Sequence, residues 1–255
     1  MAMRGYRPVA EIQFDGFVFP AYNQITTQLA KIHNRSDKKY VVPVTIRIPY
    51  GGVIGAVEHH SESPEALFAH TAGLRIVTPS SPHDAYWMTR KSIECDDPVI
   101  IFEPKRRYWL KGEVNFADTD FDPFQAQVVR EGTDATIVAY GPLVPVALAA
   151  AEAAVEDGRS IEVIDLRSIS PMDVPTVAAS VVKTGRLIVA HEAPTFGGMG
   201  GELAAAITER CFYSLQAPVL RVGGYYIPYP VPRTEDEYVP DIDRILEAVD
   251  RSFEY

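Results

Sequence analysis

The sequence predicts an α/β protein of two domains, each built around a mainly parallel sheet. Short runs rich in β-branched residues alternate with longer segments of helical spacing, which is the order of strand–helix–strand units. The alternation stops at an acidic stretch over residues 115–123, which ends in proline and is predicted to link the domains. A chain of 255 residues is also long enough to bury two cores.

The first domain is predicted to contain four strands and three helices. The strands are expected at residues 8–12, 41–48, 74–78 and 98–102, and the helices at 21–32, 64–70 and 82–94. In the first helix, the residues that recur at helical spacing and should face the core are Tyr22, Ile25, Leu29 and Ile32. We interpret this stripe as packing.

The second domain repeats the pattern. Its strands are expected at residues 135–140, 160–165, 186–190 and 218–222, and its helices at 144–156, 174–182, 201–212 and 241–252. A glycine run over 196–201 lies between a strand and a helix, where a parallel sheet presents ligands. It lacks the spacing of a dinucleotide-binding loop, so a tight turn or a close subunit contact is the favoured interpretation.

Charge and cysteine usage exclude several classes of protein. A formal charge of -10 opposes binding to nucleic acid and to anionic membranes. The two cysteines, Cys95 and Cys211, are too few and too far apart for a disulfide framework or a cysteine metal site, which fits a reducing compartment such as the cytoplasm. No apolar stretch reaches the roughly 18 residues that a spanning helix needs, and no leader is visible.

Two adjacent histidines mark the candidate site. His59 and His60 lie in a loop between a glycine-rich turn at 51–55 and a predicted helix, with Ser63 expected as its N-cap and Pro64 as its first residue. A helix N-terminus attracts anions, and an imidazole titrates near neutral pH. The loop therefore suits a carboxylate or phosphate substrate that exchanges a proton. The alternative is a good cap followed by histidines that only satisfy a surface turn.

Two other segments allow two interpretations each. Residues 225–230 are aromatic and proline-rich, which indicates either an exposed arm for a partner or a crossing segment that covers its own domain. The first seven residues lead directly into the strand-like 8–12. This start indicates either a domain entered midway or an N-terminal strand that begins early.

Several motifs together resemble one known family. They are Ala-Glu-Ile-Gln-Phe at 10–14, His-Ser-Glu-Ser-Pro-Glu-Ala at 60–66, Phe-Glu-Pro-Lys at 102–105, the run at 163–171, Lys-Thr-Gly-Arg-Leu at 183–187 and His-Glu-Ala-Pro at 191–194. The chain resembles the β subunit of the decarboxylating component of 2-oxoacid dehydrogenase complexes, and the branched-chain (2-oxoisovalerate) enzyme is the nearest match. The resemblance extends from about Arg4 to the C-terminus.

The resemblance implies a fold and a set of partners. It implies a transketolase-like pyrimidine-binding domain over residues 1–118, incomplete at its N-terminus, and a transketolase C-terminal-like domain over 119–255. A separate α subunit would complete an α2β2 heterotetramer with a second β subunit, and a lipoylated acyltransferase would receive the acyl group. Thiamine pyrophosphate would lie between chains, with Mg²⁺ held by the α subunit, in the cytoplasm or in a mitochondrial matrix.

The resemblance also assigns residues. His60 matches the histidine that faces the thiazolium end of the cofactor and assists substrate binding and proton delivery. Gln13 and Phe17 match residues of the pyrimidine pocket, whereas His59 matches none. A structural K⁺ site of main-chain carbonyls would involve Val42, Val44, Ser92, Cys95 and Asp97.

One departure from the family pattern concerns catalysis. The family activates the cofactor with a glutamate that lies several tens of residues before the position of Gln13, but only twelve residues precede Gln13 here and their one carboxylate is Glu11. We therefore expect a shortened β subunit of low activity. Two alternatives remain: an assembly module of the complex that is catalytically impaired, or an enzyme of the same class that acts on pyruvate or acetoin.

Overall fold

The computed structural model describes residues 1–255 and contains two five-stranded sheets. The strands are β1 Val9–Glu11, β2 Thr45–Tyr50, β3 Arg75–Val77, β4 Val99–Pro104, β5 Gln127–Arg130, β6 Ala135–Ala139, β7 Ile161–Asp165, β8 Ser168–Ser170, β9 Leu187–Pro194 and β10 Leu220–Gly224. The helices are α1 Phe19–Asn23, α2 Ile32–Arg35, α3 Glu65–Ala69, α4 Pro82–Glu94, α5 Val144–Ala153, α6 Val174–Thr184, α7 Met199–Cys211, α8 Glu235–Tyr238 and α9 Ile242–Ser252.

The first sheet has the order β1-β2-β4-β3-β8, and its first four strands are parallel. The central strand β4 is buried along its whole length, as expected of a parallel strand that is covered on both faces. Thr45 of β2 pairs with Val99 of β4, so the loops that follow both strands emerge at the same edge. The predicted α/β first domain is confirmed.

The second sheet has the order β10-β9-β6-β7-β5, with β5 antiparallel and the other strands parallel. Helices α5 and α9 cover one face, where the core consists of 17 residues, including Ile137, Val163 and Ile245. The predicted second α/β domain is confirmed. The strands β5 and β8 were not predicted, because they are only four and three residues long and have no period of their own.

Strand β8 connects the two sheets. Although it follows β7 of the second sheet, it pairs antiparallel with β3 of the first, matching Ser168 with Val77. The largest core also contains residues from both halves of the chain, such as Phe102, Val138 and Leu203. The two sheets therefore share packed side chains. The exact boundary at residues 118 and 119 stays a prediction.

Two predicted elements differ locally from the structure. The helix expected at 21–32 is interrupted by a π-helical segment, Gln24–Leu29, in which the hydroxyls of Thr26 and Thr27 donate to the carbonyls of Tyr22 and Asn23. Threonine in a helix competes for backbone acceptors in this way. Strand β2 begins at Thr45 and not at Val41, since Pro43 has no N–H to donate to a ladder.

The helices are all short or mixed in polarity. None of them has the length and apolar character that crossing a bilayer would require.

Candidate active site

The two histidines lie at the edge of the first sheet where its parallel strands end. The loop of residues 51–64 leaves β2 after Tyr50, forms a 3-10 turn over Glu58–His60 and enters α3. Open α/β sheets bind ligands at this edge. The position of the loop therefore fits a binding site.

His60 is part of an aromatic cluster with two residues that follow β1. Its ring lies against that of Phe14, with centroids 3.9 Å apart, and meets Phe17 edge-on at 5.3 Å. Phe14 precedes a second 3-10 turn, Asp15–Val18, and Phe17 lies within it; this turn packs on the histidine turn. Gly16 allows this close approach, because a Cβ there would lie 2.5 Å from the carbonyl oxygen of His59.

The ring of His60 is half-buried, and its Nδ1 forms no hydrogen bond with the backbone of the turn. Its Nδ1 atom is buried and has no hydrogen-bond partner within the chain. The interpretation of His60 as a histidine that satisfies a surface turn is therefore not supported for this nitrogen. A buried ring nitrogen without a partner is uncommon in a folded protein, and a catalytic role is one of its recognised causes.

The other predicted pocket residues lie beside this cluster. Phe17 is 44% exposed, so its ring offers an apolar surface next to His60. Gln13 directly precedes Phe14 and is exposed. His59 is exposed, with its Nδ1 atom 3.7 Å from Glu58 Oε1 and its ring edge-on to His60 at 4.2 Å.

The predicted cap of α3 is wrong. The helix begins at Glu65, and Pro64 (φ -89°, ψ 12°) lies outside it. The hydroxyl of Ser63 is buried and accepts no bond from the helix. Because α3 has only five residues, its N-terminus does not provide the anion site that we expected from the sequence.

A buried ion pair holds one end of the loop. Lys105 Nζ lies 2.6 Å from Asp15 Oδ1 and also donates to the carbonyl oxygen of His60, while Asp15 Oδ2 accepts from the N–H of Glu62 at 3.0 Å. Burial raises the pKa of Asp15 and lowers that of Lys105, and the attraction between them opposes both shifts. Sequence reasoning noted Lys105 only as part of a motif.

Two carboxylates of the second domain hold the start of the loop, at residues 52–55. Glu192 accepts from the N–H of Gly52, and Glu235 accepts from the N–H groups of Val53 at 3.1 Å and Gly55 at 2.8 Å. Tyr229 donates to Glu235 at 2.8 Å. Sequence reasoning missed both roles, because backbone amides leave no residue pattern.

Part of the aromatic segment 225–230 is buried against its own chain, and part of it is exposed. Tyr229 is buried and forms a small cluster with Tyr238, Val239 and Val53, so this part covers its own molecule. Tyr226 and Ile227 remain exposed, and the ring of Tyr226 contacts that of Phe196 from the glycine run, with centroids 4.6 Å apart.

Known proteins match the chain over its whole length. Residues 1–109 match the transketolase pyrimidine-binding domain, and residues 125–245 match the transketolase C-terminal domain. Over 255 residues, all of this chain, it is 62% identical to a Leifsonia xyli protein named pyruvate dehydrogenase E1 component subunit beta, of which it covers 76%. The chain belongs to the family of 2-oxoacid dehydrogenase β subunits.

Other relatives of this β subunit carry different substrate names. It is 50% identical over 252 residues to the 3-methyl-2-oxobutanoate dehydrogenase subunit beta of Mycobacterium tuberculosis, covering 98% of this chain and 72% of that protein. A solved structure described as a split gene transketolase, inactive beta4 tetramer, has a TM-score of 0.80 at 23% identity and covers 99% of this chain and 78% of that one. This last likeness concerns the fold.

Glu11, the one acidic residue that precedes Gln13 in the sequence, is already paired. The side chain of Glu11 forms an ion pair with Arg47, which also contacts Glu103 at 2.6 Å. Glu11 is thus directed along the sheet towards β2 and β4.

The carbonyl positions predicted for K⁺ lie at the opposite edge of the first sheet, before β2 and β4 and at the end of α4. The carbonyl oxygen of Val44 accepts from the N–H of Val99, and that of Cys95 accepts from Arg7 at 2.8 Å. The hydroxyl of Ser92 is buried without a partner. The carbonyls of Val42 and Ser92 also accept, from the N–H groups of Val44 and Cys95, and the Arg7 guanidinium already supplies positive charge at Cys95.

Proposed function

We propose that the chain acts as the β subunit of a thiamine pyrophosphate-dependent 2-oxoacid dehydrogenase, with His60 at the reacting end of the cofactor site. The observation that carries this proposal is the ring of His60, packed against both Phe14 and Phe17 with a buried, unpartnered Nδ1. When bound, the cofactor supplies the electron sink for loss of carbon dioxide.

The residues of this chain have separate tasks. Phe17 offers a flat apolar face to an aromatic ring, and its exposure leaves that face free. Gln13, which is exposed and directly precedes Phe14 in the sequence, offers an amide to a polar ring. His60 binds the substrate carboxylate or delivers a proton, and Phe14 fixes the plane of its imidazole.

Substitution of His60 tests this assignment. With the α subunit present, His60→Ala should lower the rate of 2-oxo acid decarboxylation by about 100-fold or more, the usual range for a lost acid–base group. His59→Ala is the matched control, since it removes an exposed imidazole one residue away. Equal rates for both variants and the wild type would contradict the role of His60.

The substrate is a short 2-oxo acid. The sequence motifs favour a branched-chain acid such as 2-oxoisovalerate, whereas the 62% identity to a protein named pyruvate dehydrogenase favours pyruvate. Values of kcat/KM for both acids, measured on the same assembled enzyme, decide between them. Acetoin as a third substrate tests the remaining alternative.

The partners follow from the open site. Phe17 is exposed and His60 is only half-buried, so another polypeptide must cover them to exclude water from the reaction. We infer an α subunit that holds Mg²⁺ and the pyrophosphate, a second β subunit, and a lipoylated acyltransferase. Light scattering of the co-expressed subunits should give the mass of an α2β2 heterotetramer.

Glu11 should not be the group that activates the cofactor. The family's activating step needs a carboxylate beside the pyrimidine, and the side chain of Glu11 is paired with Arg47. Glu11→Gln should therefore leave the decarboxylation rate of the complex with the α subunit unchanged, and a large loss would contradict this part of the proposal. If the chain instead acts as an assembly module, it will bind the acyltransferase's peripheral domain in a pull-down without catalysing the reaction.

A K⁺ site at Val42, Val44, Ser92, Cys95 and Asp97 is a separate part of the proposal. It rests on the family resemblance, which assigns the main-chain carbonyls of these residues. Potassium chloride should raise the melting temperature above that in choline chloride, and Arg7→Ala should increase this difference by removing the competing charge. The same melting temperature in both salts would contradict the site.

A further inference from the structure

The glycine turn that leads to His60 adopts an unusual backbone. Gly51 (φ +86°) and Gly55 (φ +73°) are left-handed, and so is Val53 (φ +59°) between them. Positive φ is uncommon for any residue with a side chain and strained for a β-branched one. Such a conformation persists only where the surroundings enforce it.

The surroundings that enforce it belong to the second domain. The N–H of Val53 lies 3.1 Å from Glu235 Oε2 and 3.0 Å from the hydroxyl of Tyr229, and the N–H of Gly55 lies 2.8 Å from Glu235 Oε1. Glu235 and Tyr229 are buried, so water does not compete for these bonds. One carboxylate thus holds two amides of the strained turn.

The fit around the turn is close. A Cβ on Gly52 would lie 1.9 Å from the hydroxyl of Tyr229, and one on Gly51 would lie 2.9 Å from Glu192 Oε1. The other carboxylate oxygen of Glu192, Oε2, lies 2.9 Å from Arg106 Nη2. The second domain therefore fixes residues 51–55. The ion pair of Lys105 and Asp15 holds the backbone carbonyl of His60.

We propose that Glu235, oriented by Tyr229, is a positioning residue for the reaction at His60; this inference rests on the proposed function. Glu235 makes no contact with His60. It acts through the backbone of residues 53–55, which leads into the turn at Glu58–His60, where the N–H of His60 donates to the carbonyl of Val57 at 3.0 Å. Loss of the carboxylate should release the strained turn and let the imidazole leave its place beside Phe14.

The test compares Glu235→Gln and Tyr229→Phe with Glu237→Gln in the complex with the α subunit. Glu237 lies in the same short helix, α8, and is exposed, so its variant removes the same charge without touching the turn. Glutamine at 235 keeps one acceptor oxygen and loses the other. We expect Glu235→Gln to lower kcat by 10- to 100-fold, with a smaller change in KM, and Tyr229→Phe to act in the same direction.

Two further measurements separate positioning from catalysis and from general damage. Deuterium uptake by residues 51–60 should rise in both variants and stay unchanged in Glu237→Gln. The pH profile of kcat should keep its shape, because Glu235 exchanges no proton with the substrate. A changed profile, or wild-type uptake and kcat in Glu235→Gln, would overturn the proposal.

The outcome also distinguishes this inference from the proposed function. If the wild-type complex decarboxylates no 2-oxo acid, the proposed function fails, and positioning for that reaction fails with it. Increased uptake in the variants would then show only that Glu235 anchors the turn. If the wild type is active and the variants differ from it in neither uptake nor kcat, the proposed function stands and the positioning role fails.

Discussion

The hydroxyl of Tyr140 donates to the carboxyl of Glu65 at 2.8 Å, and this bond links the second domain to the helix that follows the His60 loop. Both side chains are buried. Burial raises the pKa of Glu65 from its ordinary value of 4.5 to about 8, so this group is largely a neutral acid at pH 7.

Glu65 should make stability depend on pH. Between pH 4.5 and about 8 the folded protein retains a proton that the unfolded chain has lost, so the free energy of unfolding falls as pH rises, by about 1.4 kcal/mol per unit. Glu65→Gln removes this dependence. In urea unfolding, the free energy of unfolding of the variant relative to that of the wild type should be several kcal/mol higher at pH 8 than at pH 5. An equal difference at both pH values would contradict the buried neutral acid.

His191 should act in the opposite sense. It is buried against the glycines of α7, its Nδ1 lies 2.9 Å from the carbonyl of Ala193, and burial lowers its pKa from 6.5 to about 4. Between these values the unfolded chain binds a proton that the folded protein does not, so stability is lost as pH falls from 6.5 towards 4.

His191→Asn provides the test, because the asparagine amide can donate in place of Nδ1–H. The smaller side chain leaves a cavity whose cost is the same at every pH. Relative to this variant, the wild type should lose about 1.4 kcal/mol per pH unit over that window. Parallel curves of unfolding free energy against pH would exclude a neutral buried His191.

Gly52 should tolerate no side chain. In Gly52→Ala the new methyl would lie 1.9 Å from the hydroxyl of Tyr229, so the turn or the tyrosine must move. We expect a loss of about 1–3 kcal/mol in the free energy of unfolding, the usual cost of overpacking. Gly201→Ala in α7 is the control. Its new methyl would lie 3.4 Å from Arg221 Nη1, its nearest neighbour, and alanine should stabilise the helix by up to about 1 kcal/mol. Equal effects would refute the tight fit at Gly52.

The pair of Lys105 and Asp15 should contribute strongly to stability. Lys105→Met leaves the Asp15 carboxylate buried without its cation and should cost about 3–5 kcal/mol. Adding Asp15→Asn should recover part of that loss. The exposed pair of Arg7 and Asp96 is the control, since Asp96→Asn should cost less than about 1 kcal/mol. Similar losses at both sites in chemical denaturation would argue against a buried pair.

Much of the fold was predictable because it depends on local periodicity. Buried parallel strands such as β4 and β6 have continuous apolar sequences, and α4 and α6 start at serine and aspartate caps that accept from the backbone as the residue types suggest. Strand β8 was missed because three residues pair through backbone groups with β3, which lies far away in sequence.

The candidate site was predicted only in part. The motif around His60 pointed to the imidazole, and the resemblance named Phe17, whereas the contact of Phe14 with His60 was not predicted. The predicted Ser63 cap failed because the burial of Glu65, and not the residue order, sets where α3 begins. Glu235 was not predicted, because it lies in the acidic run Glu235–Glu237 and such a run typically indicates a solvated surface.

The sequence by itself determined the two α/β domains and the family, and it predicted His60 as the histidine for proton transfer, since these depend on periodicity and on short motifs. Only the tertiary structure decided that carboxylates more than 130 residues away hold the glycine turn before that histidine. The physical reason is that a backbone amide is the same in every residue, so its partner is chosen by where the packed sheets place it and not by the local sequence.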